Sequence, residues 1–215
     1  QDDGSNILNS ASDDGHVIVW DFDNGTILHE MDFAPGYVVL SISENGETLL
    51  VASNEVDDTP GTLTLVDMTT YSIIVEYAVA DNLALARMTS DAHYIVGLHL
   101  DGNLIIWDAA TGIEVMSTNV RSDLRPDSLD FQIDPTNALI AVNTGQDTIP
   151  LFSVQDGRMM GTVVPSSAGT HRATFNSDGS QLMAVSRDGV FPIWDITGQF
   201  FVRDFTSVGS SPTGF

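Results

Sequence analysis

Three stretches of the chain share one pattern, in which an Asp-Gly turn is followed by alternating apolar and polar residues and then by Trp-Asp. They read SDDGHVIVWD at 12–21, HLDGNLIIWD at 99–108 and SRDGVFPIWD at 186–195. Two degenerate copies end at Val66-Asp67 and Phe152-Ser153, so the successive spacings are 46, 41, 45 and 42 residues. Periods of this length are typical of arrays of small, similar units. The pattern therefore predicts five consecutive repeats.

Each repeat divides into four short segments separated by turn residues. In the third repeat these segments are 85–90, 93–100, 103–108 and 113–117, with turns at Asp91-Ala92, Asp101-Gly102 and Thr111-Gly112. Glycine suits tight hairpins because it tolerates positive φ, and alternation between the turns marks strands with one face in a core. No segment has helical spacing. The sequence thus predicts an all-β chain of four-stranded antiparallel sheets.

A single sheet of this size cannot bury both of its faces. Radial stacking against neighbouring sheets buries them, which is the arrangement of a β-propeller. The bulky residue before the repeated Asp is then interpreted as a wedge between neighbouring sheets, and its burial stabilises the fold by roughly 1.5–3 kcal/mol or more. These predicted wedge residues are Trp20, Trp107, Phe152 and Trp194.

The three strongest copies resemble the WD40 family of β-propellers, and the resemblance covers essentially the whole chain. It implies a propeller that serves as a scaffold for protein complexes. The family's Gly-His pair ahead of the first strand of a blade is missing, and Gly15-His16 lies in the turn that enters a third strand. Asp14, Asp101 and Asp188 are therefore interpreted as residues that serve their own turns.

The predicted blade units are approximately 1–33, 34–79, 80–120, 121–164 and 165–206, followed by a loop-like tail at 207–215. The opening QDDGS corresponds to the turn after a first strand, so unit one is expected to lack its innermost strand. The tail, rich in Ser, Gly and Pro, is a poor donor of that strand. We therefore expect this chain to be part of a larger ring of seven or eight blades.

The charge balance is extreme, because 30 Asp and Glu face seven Arg and no Lys, for a formal net charge of −23. Such a surface repels nucleic acid and anionic membranes. It suits a salt-adapted source, because ions screen self-repulsion, and stability should then rise with salt. No apolar run is long enough to span a membrane. We expect a soluble protein, either extracytoplasmic or in the cytoplasm of a salt-adapted organism.

Two loops carry candidate partner-binding residues. The long loop at 53–61 contains Glu55, Asp57 and Asp58, whose oxygens could also bind calcium, as could those of Asp21 and Asp23. Hydrated acidic surface is the favoured interpretation of these carboxylates. A second loop contains Arg121 and Arg125, which either bind a partner's carboxylate or pair locally with Asp123 and Asp127.

Catalytic patterns are missing from the sequence. Its five His residues have no metal-ligand spacing, it has no Cys, and it has no nucleophile elbow or phosphate-binding glycine loop. The favoured prediction is a non-catalytic scaffold that binds other protein subunits in a larger assembly, with no catalytic residue, metal site or cofactor. Two alternatives stay open: a propeller-type metal-dependent enzyme, and an extracellular module that binds calcium or sugar.

Overall fold

The computed structural model of the chain describes residues 6–12, 14–33, 38–54, 61–79, 83–120, 129–143, 148–164, 170–186 and 191–196. Sheet one contains β1 (Ile7–Ala11), β2 (His16–Asp21) and β3 (Thr26–Asp32). Sheet two contains β4 (Val38–Ile42), β5 (Thr48–Ser53), β6 (Gly61–Asp67) and β7 (Ser72–Val79). Sheet three contains β8 (Leu83–Met88), β9 (Tyr94–His99), β10 (Asn103–Asp108) and β11 (Glu114–Asn119). Sheet four contains β12 (Asp130–Ile133), β13 (Leu139–Asn143), β14 (Ile149–Ser153) and β15 (Met159–Val163). Sheet five contains β16 (Thr170–Phe175), β17 (Gln181–Ser186) and β18 (Ile193–Asp195).

Strands lie in chain order within every sheet, and consecutive strands run antiparallel. The described residues contain no helix, which confirms the predicted fold class. Sheets one and five each have three strands within the described ranges. The fourth strand predicted for the last repeat, at 199–205, lies outside the described residues, and the boundaries of the repeats stay predictions.

The chain divides into two compact units, one of residues 1–99 with 107–114 and the other of residues 100–106 with 115–215. In the first unit, side chains of sheets one and two form one core cluster: Val17, Val19, Leu49, Val51, Val66 and Met68. In the second unit, side chains of sheets four and five form another, which includes Leu151, Val163, Leu182, Ala184 and Trp194. Neighbouring sheets inside each unit therefore bury apolar faces against each other.

The strand pattern follows directly from the alternation in the sequence. In β2, Val17 and Val19 are fully buried whereas His16, Ile18 and Trp20 are only partly covered. Gly15 forms the corner before β2 with a φ of 87°, and Gly102 repeats this before β10 with a φ of 88°. Only glycine adopts this left-handed conformation without steric strain, so the repeated Asp-Gly sets where β2 and β10 begin.

A β-bulge recurs between the last two strands of three sheets. In sheet one Val19 pairs with His29 and Trp20 with Ile27, so Leu28 is the extra residue. Sheets two and four repeat this, with Ile74 and Met160 as the extra residues. The bulge lies opposite the bulky residue of the repeat each time. Because a bulge shifts the side-chain alternation, it changes which outer-strand residues share a face.

The described part of the chain contains no helix of the length and apolar character that a membrane crossing requires.

Candidate functional site

The Asp of the repeated dipeptide caps the turn between the last two strands. Asp21 Oδ1 accepts a hydrogen bond of 3.0 Å from the Asn24 backbone N–H. Asp67 Oδ1 accepts the N–H groups of Thr69 and Thr70 at 2.7 and 2.9 Å, and Asp108 Oδ1 accepts the Thr111 N–H at 2.9 Å. These bonds satisfy backbone donors that a tight turn would otherwise leave unpaired. The turns that follow Asp21, Asp67 and Asp108 are therefore stabilised by their own carboxylates.

The same bonds stabilise the ionised carboxylates. The side chain and then the backbone N–H of Asn24 lower the pKa of Asp21. Backbone donors from Thr70 and Thr69 lower the pKa of Asp67, and the Thr111 hydroxyl and N–H lower that of Asp108. Hydrogen bonds to the charged form have this effect in general. These carboxylates thus stay negative well into acidic solution.

Each of these turns also contains a residue with positive φ, and two of these residues contact an outer strand of the preceding sheet. Gly112 has a φ of 66°, and the Tyr77 ring fills the space that a Cβ at this position would need. The Tyr77 hydroxyl donates a 3.0 Å hydrogen bond to the Ala109 carbonyl. Burial, and then the nearby Asp108, raise the pKa of Tyr77. Outer strand β7 is therefore fixed to the turn before β11.

Two further contacts have the same form. Tyr71 takes the turn position of a glycine, with a φ of 55°, and its ring stacks on His29 of β3 at 4.3 Å and 12°. In the second unit, Met116 of β11 occupies the space beside Gly157, whose φ is 61°. The pairing of one outer-strand side chain with one turn thus recurs at three sheet–sheet contacts.

The four predicted wedge residues differ in burial. Trp194 is 1 % exposed and belongs to the core cluster of sheets four and five. The Trp107 ring is buried and packs against Gly97 of the neighbouring strand β9 in the same sheet. Phe152 is buried and lines a cavity. Trp20 is only half-buried, and its Nε1 donates a 2.9 Å hydrogen bond to Ser10 Oγ.

Two of the predicted turn residues make local backbone contacts. Asp14 Oδ1 accepts the His16 N–H at 3.0 Å, and Asp101 Oδ1 accepts the Asn103 N–H at 3.0 Å. The third, Asp188, lies outside the described residues. His16 in turn contacts β3, because its Nδ1 lies 2.7 Å from Asp32 Oδ1 and its Nε2 lies 3.9 Å from Glu30 Oε2. The hydrogen bond with Asp32 is the main cause that raises the pKa of His16.

The predicted partner-binding residues lie outside the described residues: Glu55, Asp57, Asp58, Arg121 and Arg125. The other candidate calcium ligands bind amides, since Asp21 accepts Asn24 Nδ2 at 2.7 Å and Asp23 accepts Asn6 Nδ2 at 3.1 Å. Within the described ranges, no three His, Asp or Glu side chains are grouped so that they could hold a metal ion.

A cavity of about 290 Å³ opens in the second unit. Its lining combines polar and apolar side chains, none of them charged: Thr118, Asn119, Val120, Thr148, Pro150, Phe152, Met159 and Thr162. In a chain with so many carboxylates, this lining favours an uncharged ligand group.

Exposed apolar side chains recur where the outer strands begin. Ile27 and Leu28 follow the first residue of β3, Ile73 and Ile74 follow the first residue of β7, and Ile113 directly precedes β11; these five side chains are 45–66 % exposed. This feature was not predicted, although the sequence carries an apolar pair shortly after the turns of the first two repeats.

The structure is similar to two solved propeller structures. The beta-propeller domain of Cps50 (Swd1) from Myceliophteria thermophila matches with a TM-score of 0.69 and 14 % identity, over 88 % of this chain and 62 % of that one. A chain in the crystal structure of the mitotic checkpoint complex matches with a TM-score of 0.71 and 19 % identity, over 91 % of this chain and 59 % of that one. This chain therefore spans about three fifths of the length of both.

No protein-family model matches the chain, and no curated protein matches it in sequence. At these low identities, the structural likeness identifies the fold alone. The β-propeller fold implied by the WD40 resemblance is thus confirmed. Membership of the WD40 repeat family stays a proposal.

Proposed function

We propose that this chain is a non-catalytic WD40-like scaffold that holds other protein subunits in a larger assembly. The observation that carries this proposal is the recurrence of exposed apolar side chains at the start of the outer strands. Contiguous exposed apolar groups are typical of surfaces that bind proteins. One of the two similar structures is itself part of a complex, the mitotic checkpoint complex.

The mechanism of such a scaffold is geometric. Backbone hydrogen bonds hold each sheet, and carboxylate caps hold the turns, as Asp67 and Asp108 do. Side chains on these strands and capped turns therefore keep fixed positions, so little conformational entropy is lost when a partner binds them. Specificity then comes from shape and charge. In the same proposal Glu55, Asp57, Asp58, Arg121 and Arg125 are partner-binding loop residues, and the partners are proteins rather than nucleic acid or membrane.

The ring of seven or eight blades belongs to the same proposal. It is supported by five consecutive sheets in a chain that spans about three fifths of each similar structure.

The test is reconstitution. The protein is purified from its native source under mild conditions, the subunits that accompany it are identified, and the complex is rebuilt from separately purified components. We expect a complex of fixed stoichiometry that survives gel filtration. If no identified protein forms such a complex with the purified chain, the scaffold proposal is wrong.

The uncharged cavity favours one alternative, a module that binds sugar. Thr118, Asn119 and Thr162 offer hydroxyl and amide groups beside Phe152, a combination suited to the polar edges and apolar faces of a sugar ring. A panel of neutral monosaccharides and disaccharides should then raise the melting temperature of the wild-type protein but not of Thr162→Val. If no sugar in the panel has this effect, the cavity is not a sugar site.

Calcium binding remains proposed for the loop with Glu55, Asp57 and Asp58. In a calorimetric titration, calcium binding should release or absorb heat with the wild type and not with the triple variant Glu55→Gln/Asp57→Asn/Asp58→Asn. A titration without heat in the wild type removes the idea. The metal-dependent enzyme is the remaining alternative, and metal analysis of the natively purified protein distinguishes it from the scaffold.

A further inference from the structure

The outer strands of the first unit share an ordered pattern of apolar and acidic side chains. We define the outer apolar surface as Ile27, Leu28, Ile73, Ile74 and Ile113. Each group is followed closely by one exposed glutamate: Glu30 on β3, Glu76 on β7 and Glu114 at the start of β11. On β3 and β7 the glutamate comes three residues after the first isoleucine, whereas Glu114 directly follows Ile113.

The bulge places the two kinds of side chain on one face. Ile27 pairs with Trp20 and Glu30 pairs with Ile18, and the two partners are two residues apart on β2. Residues two apart on a strand share a face, and directly paired residues share it too, so Ile27 and Glu30 lie on the same face.

In sheet two the same argument applies. Ile73 pairs with Val66 and Glu76 pairs with Thr64, so these two outer-strand residues also share a face. In a regular strand, two residues three positions apart point to opposite faces of the sheet. The extra residue Ile74 therefore places Ile73 and Glu76 on the same face.

Physical contacts connect the three outer strands. His29, next to Leu28, stacks on Tyr71, two residues before Ile73. Tyr77, next to Glu76, bonds to the Ala109 carbonyl and packs on Gly112, next to Ile113. The apolar groups of neighbouring strands are therefore held in fixed relation by ring contacts between them.

The sequence around this surface is poor in permanently charged cations. Arg87 is the only arginine in the sequence of the first unit, which also contains no lysine. Glu30 Oε2 lies 3.9 Å from His16 Nε2, and Glu76 accepts a 3.2 Å hydrogen bond from the Thr64 hydroxyl. Positive charge on a partner segment that covers the isoleucines would therefore complement these exposed carboxylates.

We propose that the outer apolar surface binds basic, extended segments of a partner protein, one along β3 and one along β7, in each of which apolar and Lys or Arg side chains alternate on one face. Along a strand, residues that share a face are roughly 7 Å apart, so Ile73 and Glu76 match an apolar residue and a cationic residue two positions apart in such a segment. The apolar contacts give affinity, and the glutamates select charge and steer encounter. The proposal rests on the scaffold function and names the partner's chemistry.

The experiment uses the full 215-residue chain and a fluorescent twelve-residue peptide of three Leu-Ser-Lys-Ser repeats. Two control peptides replace every Lys by Glu or every Leu by Ser. Anisotropy titration should give saturable binding of the first peptide and at least about tenfold weaker binding of both controls. Equal binding of the peptide without leucine would mean general attraction to an acidic protein, and it would overturn the proposal.

Protein variants locate the binding. Ile27→Thr/Ile73→Thr keeps β-branched residues at exposed positions, and we expect affinity to fall by about tenfold or more with an unchanged melting temperature. Met183→Thr/Val164→Thr is the matched control in exposed apolar residues of the second unit. If both double variants bind equally, the surface is wrongly assigned.

The charge is tested separately. Glu30→Gln/Glu76→Gln should weaken binding about three- to tenfold and reduce its dependence on salt. Glu44→Gln/Glu47→Gln removes the same charge from an exposed turn of the same unit and should change little. Equal effects of the two variants contradict the proposal.

Failure of this inference is distinguishable from failure of the scaffold function. A reconstituted complex that is unaffected by Ile27→Thr/Ile73→Thr would overturn the basic-segment site while leaving the scaffold intact. The absence of any complex would overturn the scaffold itself.

Discussion

Sheet one and sheet five carry the same repeated dipeptide but bury it differently. Trp194 lies in a core cluster shared with sheet four, whereas Trp20 is half-buried on the face of sheet one opposite Val17 and Val19, which pack towards sheet two. The repeat places both rings at the same point of a third strand. Burial depends on whether another sheet covers that face. The motif therefore determines local geometry, and the neighbouring sheet supplies the stabilisation.

The turns of these sheets differ in the same way. Gly25 of sheet one has a φ of 64° and nothing within 4 Å of an added Cβ, while Gly112 of sheet three has a φ of 66° and is packed against Tyr77. Identical backbone conformations thus occur in an open and in a packed setting. Substitutions at matched positions can measure how much the packing contributes.

The largest expected effect is at the tryptophans. Trp194→Ala should lower the free energy of unfolding by about 3–5 kcal/mol, because it leaves a cavity in a packed core. Trp20→Ala should cost about 1 kcal/mol, because less of that ring is buried. Urea denaturation of both variants measures the two values, and equal losses would contradict the comparison between the sheets.

The next effect is at the glycines. Gly25→Ala should destabilise by about 1–2 kcal/mol from left-handed strain alone. Gly112→Ala adds a steric clash with the Tyr77 ring, for a further loss of about 1–3 kcal/mol. The double variant Gly112→Ala/Tyr77→Ala should recover part of that further loss. If Gly25→Ala and Gly112→Ala destabilise equally, the Tyr77 contact contributes nothing to the difference.

The smallest effect is a pH dependence confined to sheet one. Asp32, with help from Glu30 and Asp14, raises the pKa of His16 above its ordinary value of 6.5. This contribution to stability is fully present below pH 6.5 and is lost as the pH rises through the raised pKa. The difference in urea midpoint between wild type and His16→Gln should therefore shrink from pH 6 to pH 9.

Asp32→Asn is the control for that measurement, because it removes the main partner of His16. In this variant the effect of His16→Gln on the urea midpoint should change little between pH 6 and pH 9. A midpoint difference that grows with pH would reverse the expected sign and disprove the assignment.

The fold was accessible from the sequence because its signals are local. Asp-Gly corners such as Gly15 and Gly102 require positive φ, and alternation along β2 and β10 marks the strands. The cap formed by Asp108 was not recognised, although the dipeptide was, because its acceptor role depends on the conformation of the turn that follows.

The candidate site was less accessible because its determinants are not local. A bulge at Leu28 or Ile74 changes the face of every later residue, and no residue type signals it. Tyr71 occupies a turn position that is otherwise glycine, and its stacking partner His29 lies 42 positions earlier in the sequence. Such contacts follow from how sheets meet, so they could not be derived from one repeat alone.

The unequal burial of the three tryptophans gives this protein a built-in optical probe. Each lies in a different sheet, so their combined fluorescence reports on three places at once. Trp20 should emit at longer wavelength and be quenched first by acrylamide, while Trp107 and Trp194 should stay blue-shifted and protected until their sheets separate. Local opening of sheet three or sheet five is therefore observable in solution without any added label.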